Sequence, residues 1–136
     1  MKVLIGFVLG IVAVIVGGIA FIYSGVYNVA AVDPHNPVVS WALEATMHRS
    51  VAARADGIAA PARFDEAQVR KGAENFSSMC AMCHGGPGVE PSEVGKGLRP
   101  DPPELGNALR HLSTAERFWI VKHGIKMTGM PGFGAT

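Results

Sequence analysis

From Val3 to Tyr23 the chain is almost wholly apolar, and no residue between Val3 and Ala31 is charged. A soluble domain has no room for such a run, because a helix built from it is apolar on every side. The 21 residues from Val3 to Tyr23 would rise about 31 Å as a helix, close to the thickness of a hydrocarbon core. The run therefore predicts one transmembrane helix. Lys2, the only charge on its N-terminal side, favours the cytoplasm for that end. A cleaved signal peptide is the competing reading, since Val29-Ala30-Ala31 offers small residues to a signal peptidase. The run exceeds the roughly 7–15 residues of a signal-peptide core, which favours a retained anchor. Either way, the residues after Asp33 are expected beyond the cytoplasmic membrane. The topology is a single pass through the inner membrane with the remainder in the periplasm.

That remainder is small and nearly neutral. With Lys2 set aside, 11 basic residues face 11 acidic ones, so a nucleic-acid partner, which calls for a basic surface, is not expected. Asp33 to Pro37, "DPHNP", reads as a turn, with Asn36 capping a helix that opens at Pro37 and runs to about Ala55. This arm reads as a helical spacer, with a docking arm as the alternative. "DEAQ" at 65–68 and "STAE" at 113–116 both fit capping boxes. The first opens an amphipathic helix through Val69, Ala73, Phe76 and Cys80, and the second a helix that Gly124 ends. Gly85 to Pro103 is rich in Gly and Pro and reads as loop, with a short helix over Glu104 to Leu109. No segment alternates as a strand does, so the fold class is all-α. The expected parts are an anchor over 1–31, a turn and helical arm over 32–64, and a compact domain over 65–136.

The two cysteines of the chain, Cys80 and Cys83, stand three apart with His84 directly after. A thiol redox pair of this spacing belongs with βαβ units, and there are no strands to build one. A structural zinc site needs four ligands, and no second cluster follows these three. As a disulfide the pair would close too small a loop to stabilise a fold. Cys-x-x-Cys-His is the attachment pattern of one covalent c-type haem. Cys80 and Cys83 would form thioethers to its two vinyl groups, and His84 would reach the iron from the proximal side. For a domain of about 70 residues, which builds a marginal core alone, a bonded haem also supplies apolar bulk. The other axial position has several candidates. Met79 and Met82 flank the cysteines and cannot cross the ring. His111, His123, Met127 and Met130 remain, the last two in "GIKMTGMPGFG" at 124–134, which is too rich in glycine for regular helix and can cross the far face as a loop.

Three stretches, "CAMCHG" at 80–85, "GLRPDPPEL" at 97–105 and "FWIVKHGIKMTGMPGFG" at 118–134, resemble the class I mono-haem cytochromes c of bacterial respiratory chains in their membrane-anchored form. The resemblance spans about Asp65 to Gly134. It implies a small class I cytochrome c domain around one covalent haem, preceded by a transmembrane helix and an arm. It implies Met130 as the axial methionine opposite His84, and Pro100 to Pro103 as the loop along the haem edge. It also implies a C-terminal helix crossing the first helix at Gly72 and Phe76. The chain stops at Thr136, so that helix is expected to be missing.

Iron with both axial positions filled by His84 and Met130 has no place for substrate. The expected function is electron transfer, not enzymatic catalysis, by a tethered carrier or a subunit of a respiratory complex. The alternative is a haem enzyme or gas-binding protein with an open distal site. A final feature concerns partners. Gly6, Gly10, Ala13, Gly17, Ala20 and Ser24 follow spacings of 4, 3, 4, 3 and 4. They form one small-residue stripe, the kind of face on which membrane helices approach closely. The anchor is expected to dock there on another transmembrane helix, its own copy or a complex subunit.

Overall fold

The computed structural model describes residues 1–134. The chain divides into two compact units, Met1–Asp33 and the segment from Pro34 onward.

In the first unit, α1 (Lys2–Tyr23) is a 22-residue helix with no buried residue. By length and composition it can cross a membrane. Its last turn is closed by Ser24, whose hydroxyl donates to the Phe21 carbonyl at 2.7 Å and accepts from the Val26 amide at 3.2 Å. Gly25 then turns the chain at φ 67°, a left-handed conformation that suits glycine. The Tyr27 ring comes back edge-on to Phe21, centroids 6.4 Å apart. An Asn28-centred turn follows, with the Ala30 amide on Asn28 Oδ1 at 2.9 Å and the Asn28 amide paired to Asp33.

The second unit is helical, and among the described residues its one β-type pairing is an isolated bridge between Gly86 and Val89. α2 (Pro37–Ala55) starts where the sequence predicts, with Asn36 Oδ1 accepting from the Val38 amide at 2.9 Å and Pro37 in the first turn. Leu43, Met47, Val51 and Ala55 recur every fourth residue, one line down the helix. They pass from half-buried to fully buried, Val51 being 2% and Ala55 5% exposed. α2 packs against α7 (Thr114–His123). The arm is thus laid along the last helix of the compact unit and is more than a spacer.

α3 (Glu66–Asn75) opens on the predicted capping box. Asp65 Oδ1 accepts from the Gln68 amide at 2.8 Å, and Gln68 Oε1 accepts from the Asp65 amide at 3.0 Å. α3 exposes Val69 and leaves open space at Gly72, on the side where the resemblance implies a crossing helix. The helix does not run on regularly to Cys80. It widens into a π turn over Phe76–Cys80 and then resumes as α4 (Ala81–His84). α5 (Glu93–Lys96) is a single turn inside the stretch read from sequence as loop, started by Ser92, whose hydroxyl accepts from the Gly95 amide at 3.2 Å. α6 (Leu105–Ala108) continues into a 3-10 turn, Leu109–His111.

The second predicted capping box opens α7. Ser113 Oγ accepts from the Glu116 amide at 3.2 Å, and Glu116 Oε2 accepts from the Ser113 amide at 2.7 Å. These bonds hold the Glu116 carboxyl below the usual range, helped by His48 of α2. If the arm is integral, Val51→Ala should lower the unfolding stability of the full chain by about 2 kcal/mol. Urea unfolding in mild detergent measures it, and a freely moving arm would give no change.

Candidate functional site

The π turn carries extra backbone into the end of α3, and such bulges recur at functional sites. Here it delivers Cys80 at the entrance of α4, whose single turn then presents Cys83 and His84. Both cysteines are free and half-buried. Burial, and then the neighbouring Cys83, push the Cys80 thiol above its ordinary value, so it stays protonated near neutral pH. Among the described residues, no group of three or more His, Cys, Asp or Glu is placed to hold a metal ion by itself.

His84 Nδ1 lies 2.9 Å from the Pro103 carbonyl. A carbonyl only accepts, so Nδ1 carries the proton. That leaves the Nε2 lone pair free for a metal, oriented by a carbonyl as metal-bound histidines usually are. The loop 100–103 thereby acts on the histidine ring through Pro103.

α5 is stitched to α4 at very short range. The Ser92 amide donates to the Met82 carbonyl at 2.9 Å. A Cβ on Gly95 would stand 2.8 Å from the Met82 carbonyl oxygen and 2.9 Å from Cys83 Cα. Only glycine permits this approach, because the obstacles are backbone. Gly85, at φ 63°, ends α4, and a Cβ there would meet the Val89 carbonyl oxygen at 2.7 Å.

The loop after α7 forms the other half. Gly124 ends the helix at φ 67°, with its amide on the Ile120 carbonyl at 2.7 Å. The chain then folds back so closely that a Cβ on Gly124 would lie 2.7 Å from the Met130 carbonyl oxygen. Met130 is fixed on both sides. Its carbonyl accepts from the Ile125 amide at 3.3 Å, and its amide donates to Thr128 Oγ1 at 3.1 Å. Beyond it the Phe133 amide reaches the Val121 carbonyl at 3.0 Å. Met130 is half-buried, whereas Met127 is 71% exposed and sits at φ 60° in the turn. His111 is exposed in the 3-10 turn, and the His123 ring lies tilted against Trp119, centroids 4.9 Å apart. The two halves meet through α5: the Leu98 side chain, one turn past Gly95, lies 2.7 Å from where a Gly129 Cβ would stand.

These residues fit a covalently bound haem. Two free thiols one turn apart are followed by a histidine whose Nδ1 is engaged and whose Nε2 is free, and a methionine stands on a pinned loop. Apolar surface is at hand as well. Glu116 lines a shallow cleft with Ala52, Ala53 and Ala55 of α2, so Phe118 and Val121, about half a turn round α7, lie away from α2. They are 53% and 48% exposed, surface that a planar apolar group can cover.

The family model described as cytochrome c oxidase, cbb3-type, subunit III matches residues 67–136. The chain belongs to this family. It is a class I c-type cytochrome, all-helical, with covalent haem c as its cofactor and electron transfer as its chemistry. No curated protein and no solved structure matches the chain. Within the family's span, Gly95 is a residue that spacing did not single out. Gly95→Ala would drive a Cβ into the Cys83 backbone, and overpacking of this kind costs about 1–3 kcal/mol. The yield of covalent haem, followed by the pyridine haemochrome spectrum and haem staining, should fall, while Gly88→Ala, in open space though at positive φ, should affect it less.

Proposed function

We propose that the chain is a tethered electron carrier or complex subunit, with its haem domain on the periplasmic side of the inner membrane and serving a respiratory complex. In this reading residues 1–31 are the anchor, 32–64 the turn and arm, and 65–136 the haem domain. Cys80 and Cys83 would hold the haem through thioethers, and His84 and Met130 would hold its iron. When bound, haem c supplies an iron that exchanges one electron between its ferric and ferrous states.

The observation that carries the reading is the loop around Met130, hydrogen-bonded on both sides of that residue and folded against the C-terminal end of α7. A ligand on a pinned loop stays in place through a change of oxidation state. Pro103 does the same for His84 on the other side. Methionine paired with histidine raises the potential and leaves no open position for substrate, which supports a carrier over an enzyme or gas-binding protein. Exposure and a left-handed backbone make Met127 a turn residue in this scheme. The side assignment is supported by Lys2 as the only charge before the apolar run.

Met130→Ala should lower the reduction potential and let cyanide or carbon monoxide bind, and should abolish the near-infrared band of oxidised methionine-ligated haem. Met127→Ala should do none of these. Loss of the band in Met127→Ala, or ready carbon monoxide binding by the native chain, would reverse the assignment.

The anchor stripe of Gly6, Gly10, Ala13, Gly17, Ala20 and Ser24 completes the proposal as the face that docks on a second membrane helix. A Cβ on Gly6, Gly10 or Gly17 would meet nothing within 4 Å, so the glycines there serve no contact inside the chain. Replacing Gly10 and Gly17 with leucine should leave insertion and haem content unchanged but release co-purifying subunits in mild detergent and slow turnover. Unchanged co-purification would remove the docking role.

A further inference from the structure

α2 is apolar on two sides, and α7 accounts for one of them. The line Leu43, Met47, Val51 and Ala55 passes from half-buried in its first two residues to buried in its last two. A second line, Val38, Trp41, Ala42 and Ala45, follows i, i+3, i+4, i+7 and is exposed throughout. Val38 is 70% and Trp41 69% exposed. The line continues to Arg49, so its only charge is positive. The acid of the N-terminal half, Glu44, sits between the two lines, 3.9 Å from His48, and the first turn of α2 has no acid at all.

We infer that this second face of α2 rests on the membrane surface, with Trp41 at the level of the lipid headgroups and Arg49 toward anionic lipid. The inference depends on α1 being inserted. Three observations select lipid over a protein partner. First, Pro37 follows the last residue of α1 by 14 positions, a tether of at most about 50 Å when fully extended. The Asn28 turn shortens it further, so the bilayer is always within reach and no partner has to be recruited. Second, Tyr23 and Tyr27 already stand at the end of the apolar run, and with Trp41 they are the residue types that collect at membrane–water interfaces. Third, an apolar stripe with a lone basic residue complements an anionic surface, which attracts Lys and Arg and repels acids. Because the opposite line of α2 holds α7, a helix seated this way fixes the direction in which α7 and the Met130 loop face. The domain would then be oriented at the membrane as well as tethered to it.

The test uses the full haem-loaded chain in vesicles of phosphatidylcholine and phosphatidylglycerol. The chain has two tryptophans, so Trp119→Phe leaves Trp41 as the sole emitter and Trp41→Phe leaves Trp119. Lipids brominated at shallow or deep acyl positions are the quenchers, and flotation with the vesicles reports insertion of α1. Shallow bromines should quench Trp41 several-fold more than Trp119, with deep bromines less effective, and Arg49→Glu should reduce the effect. A chain that floats while Trp41 is quenched no more than Trp119 overturns the surface reading and leaves the anchor standing. A chain that does not float overturns both. Hydroxyl-radical footprinting of Trp41 in the unsubstituted chain needs no variant. Protection in native membranes but not in vesicles would give the face to a protein partner and overturn the lipid assignment.

Discussion

The contact of Gly95 with the backbone of Met82 and Cys83 is the joint on which the site depends. A side chain at position 95 would overlap the helix that carries the cysteines. Without one, α5 lies flat on α4 and the Ser92 amide reaches the Met82 carbonyl. From this joint the chain runs on to Leu98, whose side chain supports Gly129 beside Met130, and to Pro103, whose carbonyl holds His84. A single close approach thus ties the Cys83–His84 segment to the segment that carries Met130. For an electron carrier this matters, because ligands that keep their positions keep the reorganisation on electron exchange small.

The same economy appears at the arm. α7 packs against α2 on one side and exposes the apolar Phe118 and Val121 on the other. Its start is set by the Ser113–Glu116 box, with His48 of α2 adding to the Glu116 carboxylate. The sign of the pH dependence follows. The Glu116 pKa is lowered in the fold, so its contribution is present above the ordinary carboxylate value and fades as pH falls through the lowered one. Since Glu116 is at the surface, the contribution is screened by water and salt. The apolar line ending at Val51 and Ala55 therefore carries more of the α2–α7 association than the charges do.

Much of the architecture was legible in the residues because its causes are local. The α1 run, the Asn36 cap, and the boxes at Asp65 and Ser113 depend on side chains within four residues of one another. The Cys80–Cys83–His84 group was legible for the same reason, since its spacing is its chemistry. What escaped was local structure with a distant cause. The turn α5 lies in a stretch whose glycines and prolines argue for loop, and the π turn over Phe76–Cys80 has no sequence signal of its own. The partner of α2 was also hidden, because an apolar line of period four says that a surface will be covered but not by what.

The sequence by itself determined the helical class, the membrane-length apolar segment, the helix starts and the thiol–histidine group. Each rests on periodicity, hydrogen-bonding capacity or spacing along the chain. Tertiary structure alone decided that the arm packs on α7, that Gly95, Gly124 and Gly129 mark close approaches, and that Met130 is pinned while Met127 is exposed. The approaches at Gly95 and Gly129 bring together segments far apart in the chain, where a Cβ would come within 3 Å of its neighbour. Glycines at turns and glycines at contacts look alike in sequence, and only the fold separates them.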